Sequence, residues 1–155
     1  MRSIAMLAAV ALAMASSPAS AHGPADAHYL GNEGILVARG DTKILFDAFY
    51  AESFNGKYTL VPDALEAKLM KGEAPFDGVD AIFVSHIHPD HFNSRKVIAY
   101  MRAQPAVRLY SGLDVEGAIR AADVPASDPL LARITAFNVV PGGAAAQFDL
   151  SLIHI

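Results

Sequence analysis

The sequence predicts an α/β domain with a mixed β-sheet covered by helices. Three observations lead there. A hairpin pattern opens the chain, short apolar runs of strand length follow it, and segments of helical periodicity alternate with those runs. All three are read from the 155 residues of the chain.

The elements follow in order. "AHYL" at 27–30 reads as a first short strand. In "EGILVARGDTKILFDAFY" the residues 33–39 and 42–47 form two β-rich arms. Gly40 and Asp41 between them suit a two-residue turn with glycine first. Asp47 ends the second arm. "AESFNGKYTL" is a polar loop, and Phe49 and Tyr50 before it and Phe54 within it are candidates to line a pocket or to pack in the core. "PDALEAKLMKG" predicts a helix begun by Pro62 and Asp63, with Glu66 three residues after Asp63 and Gly72 at the close. Leu65, Leu69 and Met70 make its apolar side.

"VDAIFVS", 79–85, is a continuous apolar run and predicts a buried strand. "NSRKVIAYMRAQ" predicts a helix capped by Asn93 or Ser94, with Val97, Ile98 and Met101 on one face. "VRLYS" predicts a strand, "GLDVEGAIRAA" a short helix, and the Pro-rich stretch after it a connection. "RITAFNVV" and "AQFDLSLIHI" predict two strands around "PGG".

The N-terminus has a different character. Arg2 precedes an apolar run at 4–15, and "SSPASA" ends in an A-x-A pattern. Residues 1–21 therefore read as a secretory signal peptide, with residues 22–155 as one domain and a periplasmic or secreted location. The run is shorter than the roughly 20 residues a membrane span needs, so no membrane attachment is expected after cleavage. Net charge is −4, and −5 without the leader because Arg2 is its one charge. With no basic block, nucleic acid is a poor partner; a small-molecule substrate is expected, and the oligomeric state is left open. The chain has no cysteine, so any metal must be held by nitrogen and oxygen.

Those donors are concentrated in "SHIHPDHF", 85–92, straight after the buried run. His86 and His88 lie two apart and can face one point. Pro89 turns the chain, and Asp90 and His91 can reach a second point nearby. Imidazole and carboxylate suit zinc, and iron or manganese nearly as well. The position after a buried strand is where α/β sheets bind ligands.

"HIHPDH" matches the H-x-H-x-D-H signature of the metallo-β-lactamase fold, and "GNEGILVARGDTKILFDAFY" resembles that family's opening hairpin. The resemblance implies an αββα sandwich and a metal-dependent hydrolase using one or two zinc ions. In it His86 and His88 hold the first ion, and Asp90 and His91 the second. Asp47 orients ligands, and Asp90 also acts in catalysis by holding the attacking water. The substrate would be an ester, lactone, thioester, amide or phosphodiester. The family's remaining ligands come later in its sequence, so the resemblance implies a domain incomplete at its C-terminus. His154 is either a third ligand or a strand residue beside one. A second class is a non-catalytic metal-binding or interaction protein on the same fold. A copper site at His22 with His28 is a further candidate.

Overall fold

The structure, a computed structural model, describes residues 24–138, 140, 142 and 143. The signal-peptide segment, His22, the strand expected at 146–155 and His154 lie outside them. Six strands form one sheet: β1 (Asp26–Gly31), β2 (Gly34–Arg39), β3 (Thr42–Phe46), β4 (Ala81–Val84), β5 (Arg108–Gly112) and β6 (Ile134–Phe137). Three helices join them: α1 (Asp63–Lys71), α2 (Ser94–Ala103) and α3 (Leu113–Arg120). The strands lie in sequence order, antiparallel from β1 to β3 and parallel from β3 to β6.

That order determines where the helices go. Parallel strands joined by a helix make right-handed crossovers. Three crossovers stepping in one direction put α1, α2 and α3 on one face. Burial agrees. The lateral row Leu36, Leu45, Ile82 and Leu109 joins one core with Leu69 of α1, Val97, Ile98 and Met101 of α2, and Val115 and Ile119 of α3. The next row, displaced by one residue, lies on the opposite face: Tyr29, Ile35, Phe46, Phe83 and Tyr110. Phe83 stacks between Phe46 and Tyr110, at centroid distances of 5.2 and 4.9 Å. The predicted covering of the sheet by helices is therefore one-sided among the described residues. Sheet and helices make two of the four layers that an αββα sandwich contains.

Most local expectations hold. Gly40 carries the positive φ of a glycine-first hairpin turn, 58°. Asn93 caps α2 by accepting from the Lys96 amide. Two readings need correction. Asp63 and Glu66 form no capping box: Pro62 occupies the cap, no side chain bonds there, and Glu66 pairs instead with Lys96 of α2. Proline has fixed φ before the first turn already, and a carboxylate facing a neighbouring ammonium gains more than one facing an end amide. The Pro-rich connection holds a 3-10 turn at Pro129–Arg133, capped by Asp128 accepting from Leu130 N–H. Its Arg133 guanidinium donates to the carbonyls of Met101, Gln104 and Val107, closing the end of α2.

Tyr100 of α2 is fully buried against Phe49, and its hydroxyl has no partner among the described residues. A desolvated hydroxyl with no hydrogen bond costs what its burial costs. Tyr100→Phe is thus expected to leave unfolding free energy unchanged or raise it by about 1 kcal/mol in urea titrations. Burial also pushes both Tyr100 and Tyr50 above the ordinary 10.0, Tyr50 to about 12 with help from the charges of Tyr29, Glu66 and Glu33. Raised values favour the neutral phenol in the fold. This stabilisation is full below pH 10 and is lost as pH rises through 12. Thermal melts should therefore fall steeply above pH 10, and less steeply in Tyr100→Phe.

Candidate functional site

β3 and β4 run parallel, so their carboxyl ends emerge side by side. Asp47 follows β3 and Ser85 follows β4. The Asp47 amide donates to the Phe83 carbonyl at 3.0 Å, pinning the two ends together. Asp47 is buried, 7% exposed, with φ of 41°. The left-handed backbone is uncommon outside glycine and is tolerated by Asp and Asn. Here it turns the carboxylate across the end of β4 rather than along its own strand. The expectation that Asp47 orients its neighbours meets a clear set of contacts. Its Oδ1 accepts from the Ser85 amide at 2.8 Å, and Oδ2 accepts from Ser85 Oγ at 2.6 Å. His91 Nδ1 lies 3.0 Å from the same Oδ2.

These contacts assign the imidazole protons. A carboxylate only accepts, so His91 Nδ1 carries hydrogen and, in the neutral ring, Nε2 keeps its lone pair. Ser85 Oγ spends its one proton on Asp47. His86 Nδ1, 2.9 Å from that oxygen, therefore donates to it, and His86 Nε2 is the bare nitrogen. One buried carboxylate, directly for His91 and through the Ser85 hydroxyl for His86, thus leaves the Nε2 of each ring without a proton. Ser85 was not singled out in the sequence. Its signal was only its place as the last residue before the cluster, one step beyond the strand.

Each expected ligand lies within this cluster. His86 Nε2 is 3.0 Å from His88 Nδ1, with the rings near perpendicular. This is a hydrogen bond, with His88 Nδ1–H donating to the unprotonated His86 Nε2; two nitrogens bound tetrahedrally to zinc lie about 3.3 Å apart, so a small opening of the pair would admit a shared cation. His91 Nε2 lies 3.9 Å from Asp90 Oδ2, wider than that tetrahedral spacing, so this pair would have to draw together by about 0.5 Å to share an ion. The spacing in the sequence predicts two separate points, one for each pair. The structure joins them, because the His86 and His91 rings lie 4.0 Å apart. Among the described residues no three or more His, Asp or Glu side chains converge as a metal cage. In donor type the residues fit a divalent ion, and the donors come together in pairs, His86 with His88 and Asp90 with His91.

The loop carrying them is held on several sides. His91 and Phe92 amides both donate to the His88 carbonyl, closing a tight turn after Pro89. Asn32, in the β1–β2 turn, donates through Nδ2 to the Asp90 carbonyl at 2.9 Å. Phe49 and Phe92 form a parallel bridge, and Asn93 N–H donates to the Phe49 carbonyl. Phe49 and Tyr50, offered as pocket or core residues, are core at 1% exposure each. Phe54 is 44% exposed and lines a cavity beside His88 and Asp90. His28, the copper candidate's partner, is an exposed residue of edge strand β1.

Residues 34–97 match a family model described as the metallo-beta-lactamase superfamily. The matched segment begins at β2 and ends in the first turn of α2, so it contains Asp47 and the whole histidine cluster. A search of the curated proteins finds no match to the chain.

The Asp47 network sets a measurable cost. Asp47→Ala removes three hydrogen bonds at a buried left-handed position and is expected to destabilise the fold by about 3 kcal/mol. Asp47→Asn keeps the backbone preference and one acceptor, and is expected to cost about half as much. Denaturant unfolding of the two variants checks this ordering.

Proposed function

We propose, from the match of residues 34–97 to the metallo-beta-lactamase superfamily model, that the protein is an exported, zinc-dependent hydrolase of a small-molecule substrate. The superfamily is typically hydrolytic and generally binds divalent metals. The observation that carries the reading is the Asp47–Ser85 network, which leaves His86 Nε2 and His91 Nε2 bare beside His88 and Asp90.

His86 and His88 would hold one cation, and Asp90 with His91 a second. When bound, the cation supplies Lewis acidity and brings the pKa of a coordinated water to near 7. The chain's own residues do the rest. Asp47 fixes His91 and Ser85, and Ser85 fixes His86, so the ring orientations are set before any ligand arrives. Asp90 accepts a hydrogen bond from the attacking water and aligns it toward an ester, lactone, thioester, amide or phosphodiester group. For a cation to sit between them, His88 must take up the tautomer with its proton on Nε2 instead of on the Nδ1 that faces His86, because one nitrogen cannot hold both a proton and a cation.

Export rests on residues 1–21, whose charged start, apolar run and A-x-A ending suit a cleaved leader, with a periplasmic or secreted destination. Among the described residues no helix is long and apolar enough to cross a membrane. A second reading, metal binding without turnover, is favoured by the donors closing only in pairs among those residues.

Zinc content after desalting, together with turnover of a panel of ester, lactone, thioester and phosphodiester substrates, tests the proposal. The full chain should retain zinc and hydrolyse at least one substrate class, and chelation should abolish both. His88→Ala should lose both as well, and Asp47→Asn should weaken zinc affinity about 10- to 100-fold. Zinc retained without turnover favours the second reading. Turnover that survives chelation and His88→Ala would overturn the metal assignment.

A further inference from the structure

The loop between β3 and α1 forms a wall of its own. Tyr50 donates its hydroxyl to the Thr59 carbonyl at 2.9 Å, closing the loop at its base. Gly31 makes room for that base: a Cβ there would stand 2.8 Å from the Tyr50 hydroxyl and 3.0 Å from the carbonyls of Thr59 and Leu60. Within the loop, Tyr58 N–H donates to Ser53 O, Lys57 N–H to Phe54 O, and Phe54 N–H to the Glu52 carboxylate. Ser53 Oγ accepts from Gly56 N–H, and Glu52 N–H reaches Pro89 O across the gap to the histidine turn. Such a loop, with its ends closed and its interior bonded, is preformed.

Its strain points to a purpose. Phe54 and Asn55 both have positive φ, 51° and 59°. Positive φ is an outlier for a bulky aromatic, and such outliers persist where the surroundings over-determine them. The result is that Phe54 meets Tyr58 edge to face at 5.6 Å, with the Lys57 ammonium 5.1 Å from the Tyr58 ring centre. Among the described residues no carboxylate pairs with Lys57. Phe54, Lys57 and Tyr58 face His88, Pro89 and Asp90 across a cavity of about 520 Å³.

We propose that this cavity is a binding site for a small carboxylate with an apolar body, the body lying against Phe54, Tyr58 and Pro89 and the carboxylate meeting Lys57. Small-molecule sites set orientation by combining apolar contact with a few placed polar groups. Here Lys57 is the one cation in the lining and the rings supply the apolar contact. A ligand held this way points its other end at His88 and Asp90. Its role as the substrate's anchoring group rests on the hydrolase reading; binding itself does not.

The test is calorimetric titration of the full chain with 3-phenylpropionate and with its neutral amide, in buffer containing a chelator so that no cation contributes. Amide chemical shifts at 54–58 locate the ligand. The acid should bind more tightly than the amide. Lys57→Gln should weaken the acid about tenfold and leave the amide unchanged, since a charge-assisted contact is what it removes. Lys57→Arg should restore the preference, and Phe54→Ala should weaken both ligands. Both positions, 54 and 57, are exposed on a loop, and unchanged circular dichroism verifies the fold. Equal affinity for acid and amide, or an acid affinity untouched by Lys57→Gln, overturns the proposal. Absence of zinc retention or turnover would sink the hydrolase reading and leave this result standing.

Discussion

Asp47 is a charged-type side chain placed where the fold has little water to offer it, and the site depends on how that cost is met. A buried carboxylate left without donors is expensive; one that accepts several hydrogen bonds is not. The donors here are the Ser85 amide, the Ser85 hydroxyl and the His91 ring. Each belongs to the segment that leaves β4. The same bonds that satisfy Asp47 therefore fix the start and the end of the histidine turn. Positioning of the ligands and satisfaction of the buried acid are one physical event.

The sheet makes this possible. Parallel pairing of β3 with β4 brings two chain ends to the same edge, where residue 47 meets residue 85. An antiparallel pair would have sent them to opposite edges. Helices packed on one face leave that edge open, and Asn32 and the 50–60 loop approach it from the β1–β2 side. The opposite face of the sheet carries the Phe46, Phe83 and Tyr110 stack, a register consequence of the same pairing. A one-residue slip between β3 and β4 would exchange this stack with Leu45 and Ile82 in the core. It would also carry Asp47 away from Ser85. Fold specificity and site geometry are thus written in the same register.

The cluster also departs from the simplest picture of independent ligand pairs. His86 lies between His88 and His91, so a change at any one ring is felt by the other two. Ser85 is the smallest residue in the network, yet it links the carboxylate to His86, which no direct contact does. Small residues that relay a hydrogen bond leave little trace in composition or periodicity.

Much was legible from the chain alone. Apolar runs of strand length, helical periodicity and turn or cap residues located all six described strands and all three α-helices, because these signals come from backbone geometry that every segment obeys locally. The crowding of His86, His88, Asp90 and His91 after an apolar run was equally plain, since donor type and spacing are properties of the sequence. Tertiary structure alone decided the rest. Glu66 reached Lys96 instead of its own helix end, Phe49 and Tyr50 went inward while Phe54 faced the cavity, and Ser85 joined Asp47 to His86. Each of these turns on which distant residue stands within about 3 Å, a hydrogen-bond length. Such distances are set by strand order and packing between segments up to 58 positions apart, and no local pattern encodes them.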